Sequence, residues 1–272
     1  MTRIIALANQ KGGVGKTTST LALGAALADR GQRVLLVDLD PQASLTSAAG
    51  VTLAESDETL YTALASYMKN GDPPILDDIV RSIAPALDLL PASIELAGAE
   101  MELQHTGRRE YVLSEVLGVV RGRYDILLID CPPSLSLLTV NALTAADEAL
   151  IPVVPDYLAS RGLGLLLTSI AHTRKIKLNP RLRVAGVILT MVDHRLVHGR
   201  ETAAGIRAFL GDGIPVLGEV KRNAKAAEAS AAGLPVTAYD PRGDAALAYG
   251  YIADALLAQW GSAPPSVEVA RG

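Results

Sequence analysis

Ten consecutive residues, Asn9-Gln10-Lys11-Gly12-Gly13-Val14-Gly15-Lys16-Thr17-Thr18, concentrate the groups that hold phosphate. Glycines at 12, 13 and 15 let backbone N–H groups turn inward around phosphate oxygens without a Cβ in the way. Lys16 has the reach for β- and γ-phosphates, the Thr17 hydroxyl suits Mg²⁺, and Thr18 is placed for an α-phosphate from the first helical turn. A glycine-rich turn that binds nothing is the plain alternative, but Gly-Lys-Thr-Thr between an apolar strand and an Ala/Leu helix argues against it. The ordinary pattern has glycine where Gln10 stands, and a second lysine, Lys11, opens the loop.

Such a loop needs a carboxylate near the metal and a group that orients water. Asp130 ends the apolar run Ile126–Ile129 and opens Asp130-Cys131-Pro132-Pro133-Ser134. An acid at the end of a buried strand lies at the carboxyl edge of a sheet, where open α/β sheets bind ligands, so Asp130 is assigned to a Mg²⁺-bound water. Asp38 and Asp40 close the run Val34–Asp38 before Pro41 and project to one side if strand geometry persists. Either is equally at home as a turn residue.

The elements that must position these groups are legible as near-continuous apolar runs alternating with Ala/Leu helices. Strands are expected at Ile4–Ala8, Val34–Asp38, Asp88–Leu90, Ile126–Asp130, Ala149–Val153, Val184–Thr190 and Val216–Gly218, and helices at Thr17–Asp29, Leu96–Val120, Gly162–Lys177, Arg200–Leu210 and Asp244–Trp260. Runs apolar on both sides suit parallel strands covered on both faces. The pattern predicts an α/β fold, a single doubly wound, mostly parallel sheet flanked by helices. One domain is expected over residues 1–260, with an acidic helical insertion at about 52–85 and a disordered Pro/Ser/Ala tail at 261–272.

Composition narrows the class. Of 272 residues, 49% are hydrophobic and 4% aromatic, so the core is aliphatic. A single cysteine, Cys131, excludes a disulfide framework and a Cys-based zinc cluster within one chain. No signal-peptide pattern and no apolar run of about 18 residues is present, which predicts a cytoplasmic protein. The net charge of −4 is unevenly spread: −9 over residues 1–160, +8 over 161–225 and −3 over 226–272. A basic segment of that density suggests a polyanion-facing surface.

KGGVGKTT, VDLDPQ, LPASIELAGAE, YDILLIDCPPSLSLLTVNAL and YDPRG together resemble the deviant phosphate-loop ATPases, and within them the ParA/Soj partition ATPases, over essentially the whole chain. The resemblance implies that Lys11 reaches a partner subunit's phosphates across an ATP-dependent homodimer. It also implies that Asp40 positions the hydrolytic water and that Asp38 is an outer-sphere metal candidate. Thr190–Arg195 and Val220–Lys225 resemble the family's base- and DNA-binding stretches. That gives Met191 and Arg222 to the nucleotide, and Arg195 and Lys225 to non-specific double-stranded DNA. ATP and Mg²⁺ as cofactors, a ParB-like centromere-binding partner and a nucleoid-associated location are further implications. The chain begins at its first strand without a helix-turn-helix, so operator-specific repression is not expected.

A MinD-like membrane-associated positioning ATPase is the nearest alternative. It calls for a basic amphipathic C-terminal helix, and the tail after Trp260 has two prolines and few bulky apolar side chains, so no membrane partner is expected. An iron-protein-like electron carrier needs two cysteines per subunit. His194 and His198 are four apart but lack the glutamate of a zinc protease motif.

Overall fold

The computed structural model describes residues 2–72, 74–195 and 197–261. In chain order the elements are β1 (Arg3–Leu7), α1 (Lys16–Ala28), β2 (Val34–Asp38), α2 (Ser44–Ala48), α3 (Leu60–Asn70), β3 (Arg81–Ala84), β4 (Leu87–Leu90), α4 (Leu96–Gln104), α5 (Val112–Gly118) and β5 (Ile126–Asp130). They continue with α6 (Leu137–Ala145), β6 (Glu148–Val153), α7 (Ala159–Lys175), β7 (Arg183–Val192), α8 (Val197–Leu210), β8 (Val216–Lys221), α9 (Ala224–Ala231), α10 (Val236–Tyr239) and α11 (Asp244–Gly261).

The strands form one sheet in the order β3-β4-β2-β5-β1-β6-β7-β8, parallel throughout except for the β3–β4 pair. Alternation along each strand splits its side chains between two cores. Ile4, Ala6, Val37, Ile129 and Ile151 face one core, shared with α3 to α8. Ile5, Leu7, Leu36, Leu128 and Leu150 face the other, shared with α1, α2 and α9 to α11. Strands this apolar on both sides are stable only when helices cover both faces, and the doubly wound sheet follows.

Two sequence expectations change. The helix expected over Leu96–Val120 is two helices, because residues 105–111 break it. Gly107 lies in the break, and Arg108 adopts a left-handed φ of 54° that no helix interior accepts. The segment 52–85 is helical only at α3; its end is β3, a short, partly exposed edge strand that turns through Ala86 into β4. A four-residue edge strand buries too little to leave an apolar run in the sequence. Most of the tail expectation, residues 262–272, lies outside the described residues.

Gly50, after α2, and Gly233, after α9, touch backbone to backbone: a Cβ on Gly50 would meet Gly233 O at 2.9 Å, and one on Gly233 would meet Gly50 Cα at 2.6 Å.

Candidate functional site

β1 ends beside β5 and β6, and the loop that follows it runs over the carboxyl edge of the sheet into α1. Gly13 and Gly15 both lie at positive φ, 69° and 82°, and Gly15 is the residue from which α1 springs. That left-handed step aims the first amides of the helix at the loop's concave side, an arrangement suited to anions. The loop is pinned from three directions. Asn9 Nδ2 donates to Pro152 O at 2.7 Å, Asn9 Oδ1 accepts from Lys11 N at 3.0 Å, and Thr190 Oγ1 donates to Val14 O at 2.8 Å.

The two lysines differ sharply. Lys16 is buried, 7% exposed, and its Nζ sits 3.4 Å from Lys11 O, inside the loop. Burial lowers its pKa, opposed by the Asp130 carboxylate. Lys11 points outward, half exposed, and is ion-paired with Asp156 of the same chain.

Asp130 and Asp38 end the neighbouring strands β5 and β2 in register, and both are fully buried. Thr17 Oγ1 donates to Asp130 Oδ2 at 2.7 Å, and Thr20 Oγ1 lies 3.4 Å from Asp130 Oδ1. Desolvation, reinforced by the charge of Asp38, pushes the Asp130 carboxyl up to about 8. Burial likewise raises Asp38, to about 6, against the pull of its hydrogen bonds from Thr46. Asp38 Oδ2 accepts from Thr46 N and Oγ1, both at 2.8 Å, and Oδ1 accepts from Asp40 N at 3.2 Å, so its oxygens bind α2 and the following loop. Asp40 is less enclosed, and its Oδ1 accepts from Gln42 N at 2.9 Å.

Two buried carboxyls at the ends of adjacent strands, whose ionised forms burial disfavours, are a place where a cation is welcome. Among the described residues no three His, Cys, Asp or Glu side chains gather into a metal-holding group. The donors at hand, a hydroxyl and a carboxylate, are hard oxygens that suit Mg²⁺ completed by water and phosphate oxygens. Thr17 and Asp130 are therefore the residues fitted to hold it.

A cleft of about 460 Å³ opens beside the loop, between Gly15 and Thr18 on one side and Met191, Arg222, Asn223 and Ala227 on the other. Its size is that of small-molecule sites. Met191 is held at φ 52° where β7 ends, and Arg222 N donates to Val192 O at 3.1 Å, closing β8 onto β7. Asn223 caps α9 by accepting from Lys225 N at 2.9 Å. The structure thus brings Gly12 to Thr18, Met191 and Arg222 around one cleft and loop, with Asp38, Asp40 and Asp130 at the adjoining strand ends.

Arg195 and Lys225 follow the carboxyl ends of β7 and β8, both exposed. Arg195 forks onto Asp193, with Nε–Oδ1 at 2.9 Å and Nη2–Oδ2 at 2.8 Å. Lys225 pairs with Glu228 at 2.8 Å and lies over the Tyr239 ring. The +8 segment does not form one face. Because α7 runs back along the sheet, Arg174, Lys175, Lys177, Arg181 and Arg183 collect at the opposite, amino edge. Charge density in sequence could not reveal this, since it carries no direction.

Asp156 and Thr46 escaped the sequence reading, as did the parts that Asn9 and Thr190 play in pinning the loop. Asp156 had a signal: it stands three residues beyond the apolar strand β6, on the same edge of the sheet where Asp130 ends β5. Among the described residues no helix is long and apolar enough to cross a membrane.

A family profile described as an AAA domain matches residues 2–184. The chromosome partitioning protein ParA of Caulobacter vibrioides is 44% identical over 240 residues, 88% of this chain and 87% of that protein. The sporulation initiation inhibitor protein Soj of Bacillus subtilis is 43% identical over 249 residues, 92% of this chain and 96% of that one. Among solved structures, a Mycobacterium smegmatis protein described as cobyrinic acid a,c-diamide synthase with bound ADP and magnesium superposes with a TM-score of 0.81. It is 37% identical, over 96% of each chain.

Proposed function

This chain belongs to the ParA/Soj family of P-loop ATPases, and from that premise we propose that it is a DNA-partition ATPase whose ATP-bound dimer grips DNA and whose hydrolysis releases it. The observation that carries the reading is the division of labour between the two lysines, one buried inside the loop and one outside it. A loop that only closed on its own nucleotide would have no use for Lys11 at its mouth.

Each residue then has a task. Lys16 and the loop amides hold the β- and γ-phosphates, and Met191 and Arg222 wall the base. Thr17 Oγ1 would hold magnesium directly and Asp130 would hold it through a water; the ion would supply charge neutralisation for phosphoryl transfer there. Asp38 holds α2 and the Asp40 amide in place. Asp40, less enclosed than its neighbours, orients the attacking water. Lys11 leaves Asp156 and completes the partner's phosphate site, which makes the dimer conditional on ATP. Dimerisation pairs two copies of the carboxyl-edge face, where Arg195 and Lys225 exchange their carboxylates for DNA phosphates without reading sequence. A ParB-like partner accelerates hydrolysis, and loss of the γ-phosphate opens the interface.

Gel shift of a random-sequence duplex with no nucleotide, ADP, ATP and a slowly hydrolysed analogue tests this. At least tenfold tighter binding with ATP or the analogue than with ADP is expected; equal affinity in all four states refutes it. ATP turnover that requires a carboxylic acid and an amide donor, and ignores DNA and partner, would favour amide synthesis instead.

A further inference from the structure

Between Asp156 and Asp193 the chain contains no Asp or Glu, yet Arg174, Lys175, Lys177, Arg181 and Arg183 fall within ten residues. All five are exposed. Among the described residues none of them is ion-paired, whereas Arg195, Lys221 and Lys225 at the carboxyl edge, and Arg207 in the last turn of α8, each have an acidic partner. The two acids nearest the start of β7 are committed elsewhere. Asp147 Oδ2 accepts from Ile4 N at 2.9 Å, and Glu148 binds Arg3 and Trp260. This edge therefore presents uncompensated positive charge.

The cations also sit on a fixed platform. α7 ends when Leu178 N donates to Thr173 O at 3.2 Å and Lys177 N to Arg174 O at 3.1 Å, the paired bonds of a glycine-type helix stop. Lys177 occupies the left-handed position of that stop at φ 63°, where glycine fits without strain and an L side chain does not. The turn beyond is stitched down: Asn179 Nδ2 donates to Leu143 O at 3.0 Å and Ala146 O at 2.6 Å, and Leu182 is fully buried. A lysine kept where it strains the backbone, on a turn that holds it outward among four other unpaired cations, points to a ligand for that charge.

We infer that this amino-edge cluster is a second surface for the phosphate backbone of duplex DNA, separate from Arg195 and Lys225 and indifferent to the nucleotide. About 26 Å of β7 separates Arg183 from the cleft at Met191, so occupancy of the cleft leaves the cluster unchanged. An anionic lipid surface suits it less, because Ile176 is the one bulky apolar side chain exposed among the cations. The choice of DNA as the polyanion rests on the proposed function; the charge cluster does not.

The experiment compares the full chain with a Lys175→Gln/Lys177→Gly/Arg181→Gln variant, using fluorescence anisotropy of a labelled duplex against NaCl concentration, in ADP and in a slowly hydrolysed ATP analogue. Each lost phosphate contact removes about 0.9 from the slope of log K against log salt. The variant is expected to lose a slope of about 2 to 3 in both nucleotide states, with binding at 0.1 M salt down tenfold or more. Lys177→Gly alone, which relieves the strained position, is expected to melt no lower than the parent while still binding DNA more weakly, so that the loss is not one of folding. Arg195→Ala is expected to act in the ATP-analogue state. Parent-like binding and slope for the triple variant at every salt concentration overturn the inference while leaving the proposed function standing. Equal binding in ADP and analogue by the parent, lost in the triple variant, overturns the ATP gate and leaves the cluster. Loss of binding to phosphatidylglycerol vesicles with DNA binding intact overturns the choice of DNA.

Discussion

Replacing Asp156 with Asn should make the ATP-dependent dimer tighter, although the substitution removes an ion pair. In the single chain Lys11 is held by Asp156, with side-chain exposures of 50% and 33%. If Lys11 serves the partner's phosphates, both subunits must break this pair before the dimer closes. An exposed pair of this kind is worth about 0.2–1 kcal/mol. Two pairs per dimer set the cost at about 0.4–2 kcal/mol, or about 2- to 30-fold in the dimer dissociation constant. Asn keeps the local fold, because Asp156 Oδ1 also accepts from Leu158 N at 3.1 Å and an amide oxygen can accept the same bond. Sedimentation velocity with a slowly hydrolysed ATP analogue, over a range of protein concentrations, measures the constant. The gain should shrink as salt rises, since the Debye length falls from about 10 Å at 0.1 M to about 3 Å at 1 M. An Asp156→Asn dimer no tighter than the parent's at low salt, or a weaker one, would refute the idea that Asp156 restrains Lys11.

Lys16→Ala should weaken ATP binding at least tenfold, since a charge-assisted hydrogen bond contributes about 1.5–3 kcal/mol; unaltered affinity by titration calorimetry would contradict its place in the loop. Asp40→Ala should still bind ATP and dimerise but release phosphate about 100-fold more slowly or worse, and normal turnover would remove Asp40 from the chemistry. Gly15→Ala should cost about 1–2 kcal/mol of backbone strain at φ 82°, read as a lower melting temperature without nucleotide. Gly12→Ala, outside the left-handed region and meeting only Pro133 Cβ at 3.8 Å, should melt like the parent; equal losses would refute the strain argument.

How far the sequence reached depended on whether a feature was local. The phosphate loop, the strand-end acids and the central strands were legible because glycine spacing, a terminal carboxylate and a two-sided apolar run are written in neighbouring residues. The break between α4 and α5 did leave a signal that a single long helix passes over: no apolar residue stands between Leu103 and Tyr111, and Gly107 falls inside that gap. β3 was hidden because a short edge strand at Arg81–Ala84 buries little. The Lys11–Asp156 pair joins residues 145 apart in sequence, and only the adjacency of β1 and β6 brings them together. The basic segment was legible as charge but not as geometry: α7 reverses direction and divides it between opposite ends of the sheet.

The contact between Gly50 and Gly233 makes a bare mechanical joint. On one side α2 is fastened to the strand edge through Thr46 and Asp38, next to Asp40. On the other, α9 runs from Gly233 back to Lys225 and the wall of the cleft. Where side chains separate two elements, a rotamer change can absorb a small push. Backbone against backbone has no such slack, and a packed interior passes strain on. A displacement of α2 therefore presses directly on the end of α9, the helix that bears Lys225.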